Sequence, residues 1–388
     1  MKRRICIVSG TRAEYGLLRG VIEGVQHNDP LELQMIVTGT HLSPEFGLTY
    51  REIEADGTPI DDRVEILLSS DTAAGVAKAM GLGLIGFADA FARLKPHILV
   101  LLGDRFEILA AAAAAMVAAI PIAHIHGGET SEGAFDEAIR HSLTKMSHLH
   151  FVAAEPYRKR VVQLGEDPGR VFLVGGLGTD AIQRERLLER EALEQSLGLT
   201  FGLRNLLITY HPETLNDQNS CAHLEELLNA LDMLDNDTRL IFTMPNADTG
   251  GRALMQRIGD FVADRPNSWA YASLGQRRYL SCLRFVDGVI GNSSSGLAEA
   301  PSFGIGTLNI GDRQAGRLKA SSVIDCPPRQ ADIEAGLSLL FSPDFKSSLS
   351  LVRNPYGDGG ASARIVEVLR TASLEGLLKK RFYDLPVE

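Results

Sequence analysis

Asn292-Ser293-Ser294-Ser295-Gly296-Leu297-Ala298-Glu299-Ala300-Pro301 is the stretch from which the fold is most directly read. Its small hydroxyl and glycine residues lie between the apolar pair Val289-Ile290 and a predicted helix. This order is typical of an anion site, because backbone N–H groups and the positive end of a helix dipole favour phosphate. Ser293 and Ser294 add hydroxyl donors, and Glu299 is expected on the same helix as an acceptor for sugar hydroxyls. An ordinary strand-to-helix turn with a serine N-cap is the alternative.

The same alternation of short β-rich runs and longer helical patterns extends along the whole chain, which is typical of parallel sheets with helices on both faces. In the first half the predicted strands are Arg4–Ser9, Leu33–Thr38, Ile98–Leu102, Ile122–Ile125, His150–Ala153 and Val171–Val174. In the second half they are Leu206–Tyr210, Leu240–Met244, Trp269–Ala272, Gly288–Ile290, Thr307–Ile310 and Ser322–Asp325.

Two successive sets of strands predict an α/β protein with two facing Rossmann-like domains. A chain of 388 residues is also longer than one core comfortably supports. We expect domains at 1–178 and 179–362, with the boundary at the glycine-rich turn 175–180 before a polar helix over Gln183–Glu194. Parallel sheets bind ligands at the carboxyl ends of their strands, which predicts a site in the cleft between the domains.

The composition excludes several classes of protein. A net charge of −10 argues against broad nucleic-acid binding. The four cysteines are far apart and form no CxxC pair, as expected of reduced thiols in a cytoplasmic protein. The uncharged stretch 108–125 is rich in alanine and contains Pro121 and His124, so we interpret it as a buried helix and a strand rather than a membrane span.

Polar clusters follow the predicted strands of the first half. The first strand ends in residues 9–16, where Gly10 permits close backbone approach and Arg12 offers a planar donor fork for phosphate. The third ends at Asp104, which is placed as an acid or base, with helix N-capping as the alternative. Arg105 is expected to pair with Asp104 or with another carboxylate.

The densest cluster is His124-Ile125-His126-Gly127-Gly128-Glu129, followed by Asp136, Glu137, Arg140 and His141. Period-two spacing predicts His124 and His126 on one face of a strand, and the glycines let Glu129 bend towards the cleft. A metal site is an alternative, although HxH with a scattered acid is not a specific pattern.

Strand ends in the second half carry further candidates. His211 precedes Pro212 and is placed to donate to a phosphate or to a leaving oxygen, unless it only caps the turn. Asn246 offers a polar contact after the next strand, and Arg313 follows the strand after the serine motif. Polar clusters at so many strand ends predict a cleft for a phosphorylated ligand with carboxylate chemistry.

These motifs resemble those of the UDP-sugar 2-epimerases, specifically the hydrolysing branch, over nearly the whole chain. The matching segments are Ser-Gly-Thr-Arg-Ala-Glu-Tyr-Gly at 9–16, Gly-Asp-Arg at 103–105, His-Ile-His-Gly-Gly-Glu at 124–129, Ile-Arg-His-Ser-Leu-Thr-Lys at 139–145, His-Pro-Glu-Thr at 211–214, Asn-Ser-Ser-Ser-Gly at 292–296 and Gly-Asp-Arg-Gln-Ala-Gly-Arg at 311–317.

The resemblance implies the two-domain GT-B fold, with a C-terminal helix at about 363–388 returning to the first domain. It implies removal of the C2 proton of UDP-N-acetylglucosamine, expulsion of UDP to give 2-acetamidoglucal, and hydration to N-acetylmannosamine, a sialic acid precursor. No cofactor and no metal are expected. The partners implied are the UDP-sugar and further copies of the chain in a homodimer or homotetramer, with the alanine-rich region 109–119 as a candidate interface.

The resemblance also assigns roles. The diphosphate contacts are Ser293, Ser294, Arg313 and Arg12, the ribose ligand is Glu299, and the phosphate-side residue that helps the leaving group is His211. Asp104 matches a catalytic carboxylate. The substrate-binding set further includes His41, Arg105, Asn246 and Gly296.

This chain departs from many relatives at position 126, where they have a catalytic glutamate and this chain has His126. We expect Glu129 and Asp136 to act as the acids, with His126 retained as a candidate base. A lysine found in some relatives is replaced by Leu17.

Several alternatives remain open. The same reaction on UDP-2,4-diacetamido-2,4,6-trideoxyglucose would serve legionaminic acid synthesis instead. A non-hydrolysing epimerase, a GT-B glycosyltransferase that needs an acceptor, and a non-catalytic nucleotide-sugar sensor are the others.

Overall fold

The structure, a computed structural model, describes residues 2–68, 70, 72–132, 135–212, 217–245 and 250–386. The chain divides into two compact units. Unit 1 comprises Met1–Glu129, Asp136–Arg184 and Tyr356–Glu388, and unit 2 comprises Thr130–Phe135 and Glu185–Pro355. The change of unit after Arg184 lies a few residues beyond the expected boundary, because the helix that ends there packs against helices of unit 1.

Unit 1 contains, among its described residues, a seven-stranded parallel sheet in the order β3-β2-β1-β4-β5-β6-β7. Its strands are β1 (Arg3–Ser9), β2 (Leu31–Thr38), β3 (Asp62–Val64), β4 (Ile98–Leu102), β5 (Ile122–Ile125), β6 (Leu149–Val152) and β7 (Val171–Leu173). Its helices are α1 (Arg12–Gln26), α2 (Tyr50–Ala55), α3 (Ala73–Leu94), α4 (Phe106–Val117), α5 (Asp136–Met146), α6 (Glu155–Gln163), α7 (Leu177–Arg184) and α15 (Ala361–Thr371).

Unit 2 contains, within the part of the chain that the structure describes, a six-stranded parallel sheet in the order β10-β9-β8-β11-β12-β13. Its strands are β8 (Arg204–Thr209), β9 (Thr238–Thr243), β10 (Ser268–Tyr271), β11 (Gly288–Gly291), β12 (Gly306–Ile310) and β13 (Val323–Cys326). Its helices are α8 (Arg190–Leu197), α9 (Asp217–Asp232), α10 (Gly251–Ala263), α11 (Gly275–Cys282), α12 (Ser295–Ala298), α13 (Gln330–Leu340) and α14 (Pro343–Ser348). This is the Rossmann strand order.

All twelve predicted strands are present, each end within two residues of its predicted position, and among the described residues β3 is the additional strand. The stretch 108–125 is the predicted helix followed by a strand, with α4 ending at Val117 and β5 beginning at Ile122. The single polar helix predicted over Gln183–Glu194 is wrong: α7 ends at Arg184 and α8 begins at Arg190. The break lies where the chain passes from unit 1 into unit 2.

Among the described residues, α3 alone is long and apolar enough, by length and composition, to cross a membrane, with 33% of its most apolar window buried. It packs against α4 in unit 1.

The core of unit 1 includes the C-terminal helix α15. Ile365 and Leu369 of that helix are fully buried in the same hydrophobic cluster as Ile5 and Val21. The guanidinium of Arg3 donates to the carbonyl of Leu369 at 2.6 Å. The helix ends at Thr371, before the expected end of the C-terminal helix, and the residues described beyond it include no further helix or strand.

Ile365→Ala should destabilise unit 1 by about 2–5 kcal/mol, because it removes buried methyl groups and leaves a cavity between α15 and the sheet. Urea unfolding followed by circular dichroism measures the loss. Ala363→Ser, on the exposed side of the same helix, should change stability by no more than about 0.5 kcal/mol. Equal effects of the two substitutions would contradict the docking of α15 as a core element.

Candidate active site

A buried arginine organises the polar residues at the carboxyl edge of the unit 1 sheet. Arg140 of α5 is 1% exposed. One of its terminal nitrogens donates to the carbonyl oxygen of Glu129 at 3.0 Å and to the carboxylate of Glu137 at 2.7 Å. The other pairs with the carboxylate of Asp104. Because a buried guanidinium requires charge compensation, this set of contacts holds Asp104 in place next to the end of β4.

Glu129 lies beside the histidine that replaces the expected glutamate. Glu129 is 3% exposed, and one of its carboxylate oxygens is 3.5 Å from Nδ1 of His126. The other ring nitrogen of His126, Nε2, accepts a hydrogen bond from the backbone N–H of Leu177 at 3.3 Å. This bond requires the Nε2 lone pair and leaves the proton of a neutral ring on Nδ1, facing Glu129.

The predicted common strand face for His124 and His126 is wrong. Strand β5 ends at Ile125, and His126 has φ of 67°, in the left-handed region. His124 is buried, its Nε2 is 2.7 Å from the carbonyl oxygen of Gly103, and burial lowers its pKa to about 3. The described residues contain no group of three or more His, Cys, Asp or Glu side chains arranged to hold a metal ion.

Other predicted residues of unit 1 have partners within the unit. The guanidinium of Arg12 pairs with Glu52 at 2.7 Å. His41 is buried, with Nε2 at 2.8 Å from the hydroxyl of Ser9 and Nδ1 at 2.8 Å from that of Thr49, and burial lowers its pKa to about 4.

Arg105 precedes α4 and donates from Nε to Glu107 at 2.8 Å. This is a pairing with another carboxylate, one of the two alternatives expected for Arg105. Asp136 is the first residue of α5 and is half-buried.

In unit 2 the side chain of Asn292 connects two strand ends. Its Oδ1 accepts from the backbone N–H of His211 at 2.7 Å, and its Nδ2 donates to the carbonyl of His211 at 2.9 Å. The carbonyl oxygen of Asn292 accepts from Arg313 at 3.2 Å and from Gln314 at 2.8 Å. Asn292 is fully buried. One residue therefore brings together His211, the serine motif and the Arg313 loop.

The serine motif differs from the expected long helix. Helix α12 spans only Ser295–Ala298, and a 3-10 turn at Ala300–Phe303 follows it. Glu299 lies between these two elements rather than within one helix with Ser293. A helix of one turn has little macrodipole, so an anion would depend on the hydroxyl and backbone N–H donors.

Gly296 is required for packing, because a Cβ at this position would lie 2.6 Å from Cγ2 of Thr307.

Tyr279 of α11 is a neighbour of Glu299 that the sequence did not indicate. Burial raises its pKa above the usual range, and nearby Glu299 adds to the shift. Asn246 lies outside the described residues.

The segment 130–135 belongs to unit 2, although Glu129 before it and Asp136 after it belong to unit 1. The carbonyl oxygen of Thr130 accepts from Arg317 at 3.2 Å, and the backbone N–H of Glu132 donates to Ala315 at 3.4 Å. Within unit 2, Thr130 and Glu132 are therefore bonded to the loop that carries Arg313.

The chain has two parallel Rossmann-type sheets. Carboxylates lie at the strand ends of the first, and hydroxyl, amide and guanidinium groups lie at those of the second. This architecture defines a two-domain α/β protein of the GT-B class. The family model described as UDP-N-acetylglucosamine 2-epimerase matches residues 23–370. The chain belongs to the UDP-N-acetylglucosamine 2-epimerase family, as its motifs predicted.

Individual relatives agree with this assignment. The chain is 42% identical over 386 residues, covering 99% of this chain and 100% of the relative, to the GDP/UDP-N,N'-diacetylbacillosamine 2-epimerase (hydrolyzing) of Campylobacter jejuni. It is 36% identical over 99% of its length and 98% of the relative to the polysialic acid biosynthesis protein P7 of Escherichia coli.

Among solved structures, the UDP-GlcNAc 2-epimerase from Neisseria meningitidis bound to UDP-GlcNAc superposes with a TM-score of 0.80 at 19% identity, covering 94% of this chain and 99% of that chain. This likeness confirms the predicted fold class.

Asn292→Ala should destabilise unit 2 by about 2–4 kcal/mol, because the buried N–H and carbonyl of His211 both lose their partner. Urea unfolding measures the change, and Asn236→Ala, at an exposed position, is the control. A stability equal to that of the control variant would show that the two hydrogen bonds between the Asn292 side chain and the His211 backbone do not stabilise unit 2.

Proposed function

We propose that this protein is a hydrolysing 2-epimerase of a UDP-linked 2-acetamido sugar. A base removes the proton at C2 while the C1–O bond to UDP breaks, which gives a 2-acetamidoglucal and UDP. Water then adds across the double bond, with hydroxyl at C1 and a proton on the opposite face of C2. The products are UDP and the free sugar with mannose configuration, and no redox cofactor is consumed.

The cluster of carboxylates around Arg140 is the observation that carries this proposal. A C2–H is a weak carbon acid, so its removal needs a fixed base, and protonation of the other face needs a second acid. Asp104 and Glu129 are both held by Arg140, the first through its carboxylate and the second through its carbonyl oxygen. We assign these two residues and Asp136 to the proton transfers.

The second requirement is stabilisation of the charge that develops on departing UDP. Fixed donors aimed at that charge contribute more than mobile ones, because they need no reorganisation during the reaction. In unit 2, Arg313 is fixed through the carbonyl of Asn292, and His211 is fixed through its own backbone. We assign His211, Arg313, Ser293 and Ser294 to the diphosphate.

Two sugars are candidates for the substrate. The Campylobacter relative is named for N,N'-diacetylbacillosamine, which is 2,4-diacetamido-2,4,6-trideoxyglucose, and its identity of 42% favours that sugar. The Escherichia coli relative is named for polysialic acid biosynthesis at 36% identity, which favours UDP-N-acetylglucosamine. We propose the 2,4-diacetamido sugar as the substrate and keep UDP-N-acetylglucosamine as the second candidate.

Proton NMR of the products formed in deuterated water tests the reaction and the sugar together. The purified protein is incubated separately with the UDP-linked 2,4-diacetamido sugar, its GDP-linked form and UDP-N-acetylglucosamine. We expect UDP and a free sugar of mannose configuration that carries deuterium at C2. The reaction should be fastest with the UDP-linked 2,4-diacetamido sugar.

Each other outcome has a definite meaning. Faster turnover of UDP-N-acetylglucosamine would assign the protein to N-acetylmannosamine formation. A product still linked to UDP would make it a non-hydrolysing epimerase, and turnover only with an added acceptor would make it a transferase. No reaction with any of the three would overturn the proposal.

Glu129→Gln should lower kcat by about 10²–10⁴-fold, the range for loss of a positioned acid or base. His126→Gln should lower it less, because the Nε2 lone pair of His126 is occupied by Leu177 and the ring faces Glu129. Steady-state kinetics of the two variants measures the difference. An equal or larger loss for His126→Gln would identify His126 itself as the base.

We further propose that the protein forms a homodimer or homotetramer through α3 and the end of α4. The alanines of the region 109–119 are mostly buried inside unit 1, whereas Met116 and Val117 in the same region are 52% and 81% exposed. Leu84 and Ile85 of α3 are 43% and 65% exposed. Helices α3 and α4 pack against each other, and exposed apolar side chains on neighbouring helices are typical of protein interfaces.

Ile85→Asp should convert the oligomer to a smaller species, because a carboxylate in an apolar interface loses its solvation. Light scattering after size-exclusion chromatography measures the mass. Leu203→Asp, at a leucine that is 87% exposed in unit 2, should leave the mass unchanged. If Ile85→Asp keeps the wild-type mass, this face is not the interface.

A cytoplasmic location is also proposed. All four cysteines are free, and three of them, Cys6, Cys282 and Cys326, are buried thiols. Free thiols without disulfides are usual in reducing compartments.

A further inference from the structure

Two glutamates outside the proposed catalytic set meet at Gly10, the residue that follows β1. Glu107, in the first turn of α4, is 1% exposed. A Cβ on Gly10 would lie 2.6 Å from Cγ of Glu107, and a Cβ on Gly39 would lie 3.3 Å from its Oε1. The side chain of Glu107 therefore occupies the space that a Cβ on Gly10 would fill, and it lies close to Gly39.

Glu14, in the first turn of α1, approaches Gly10 as well. Glu14 is 8% exposed, and its Oε2 accepts from the backbone N–H of Gly10 at 2.7 Å. The remaining oxygens, Oε1 of Glu14 and Oε2 of Glu107, are both buried and have no hydrogen-bond partner among the described residues. Two buried carboxylates against one residue cannot both remain ionised without a compensating proton or cation.

The surrounding charges determine which carboxyl carries the proton. Nε of Arg105 donates to Oε1 of Glu107 at 2.8 Å, which places a positive charge against Glu107. Burial raises the pKa of Glu14 to about 8 and the charge of Glu107 adds to the shift, while Arg105 and the backbone N–H groups of Gly10 and Thr11 oppose it.

His41, whose ring bonds to Ser9 close by, is neutral at neutral pH because burial lowers its pKa to about 4. It therefore adds no positive charge that would favour ionisation of Glu14.

We propose that Glu14 and Glu107 share one proton, held by Glu14 Oε1 and directed at Glu107 Oε2, and that this carboxyl pair positions Arg105 beside Asp104. Glu14 is thus a positioning residue: it does not touch the substrate but keeps Glu107 in the orientation that binds Arg105. The part of this inference that concerns turnover rests on the proposed function. The part that concerns the shared proton does not.

Ionisation of Glu14 would place two negative charges against Gly10. Their repulsion would turn Glu107 away and release Nε of Arg105, the neighbour of Asp104 in sequence. Turnover should therefore fall as the pH rises through the titration of Glu14. Stability should fall over a lower range, between the unfolded-state pKa of 4.5 and the folded-state pKa of about 8, because only the folded protein keeps the Glu14 proton in that interval.

Infrared spectroscopy of the free protein tests the shared proton directly. At pH 6 the wild-type minus Glu14→Gln difference spectrum should contain the C=O stretch of a protonated carboxyl, and this band should vanish at alkaline pH. Glu107→Gln should retain the band but shift its midpoint to lower pH, because burial remains after the neighbouring charge is removed. Glu32→Gln, at an exposed position of β2, should leave the band unchanged.

The positioning role is tested by the pH profile of kcat/KM for the same variants. Since the amide of Glu14→Gln cannot ionise, the ratio of variant to wild-type kcat/KM should rise about tenfold between pH 7 and pH 9, as expected for a titration near pH 8. Glu32→Gln should give a constant ratio.

Absence of the carboxyl band from the difference spectrum overturns the shared proton. If the carboxyl band is present but the ratio of Glu14→Gln to wild-type kcat/KM does not change with pH, the positioning role is overturned. If no nucleotide sugar is turned over, the proposed function fails, and the infrared result still decides whether the proton is present.

Discussion

The parallel direction of every strand pair is the constraint on which the site depends. In both sheets each strand runs parallel to its neighbours, so the chain must cross back to the opposite end of the sheet before the next strand begins. All loops that leave the carboxyl ends therefore emerge at the same edge of their sheet. In unit 1 this edge collects the residues after β1, β4 and β5, and in unit 2 those after β8, β11 and β12. Side chains distant in sequence become neighbours without any long excursion of the chain.

The carboxyl edge of a parallel sheet brings charged side chains close together, and nearby groups of opposite charge compensate them. Arg140 is buried and would be costly alone, but three oxygen groups surround it, including the carboxylate of Asp104. Glu166 shows the same principle away from the site. Burial opposes its charge, yet hydrogen bonds from His150, Lys145 and Lys380 lower its pKa to about 2. Glu14 and Glu107 have fewer cations nearby, which is why a proton is the compensating charge that we infer for them.

The sequence predicted the strands and the positions of polar residues at their ends, because buried parallel strands are apolar runs followed by glycine and polar residues. It missed β3, whose three residues Asp62–Val64 include two charged ones and lie at the sheet edge. It also overestimated the helix after Ser293, where Pro301 and Gly304 limit regular structure.

The periodic patterns of the sequence could not predict contacts between residues that are far apart in the chain. Asn292 was part of a quoted motif, but nothing in the order of residues shows that its amide binds the backbone of His211. Glu14 and Glu107 likewise stand 93 positions apart in the chain, and only the shared approach to Gly10 brings them together. The one signal available was Gly10 itself, since a glycine after a strand indicates that something must approach the backbone closely.

The backbone conformation at position 126 suits a histidine. His126 is in the left-handed region, which few residues with a side chain adopt, although histidine does so more readily than most. This conformation turns the ring towards the N–H of Leu177, which occupies Nε2 and directs Nδ1 at Glu129. A glutamate at position 126 could not donate to Glu129 in this way, because an ionised carboxylate is only an acceptor. These contacts support the role proposed for Glu129 and direct the Nδ1–H of His126 at its carboxylate.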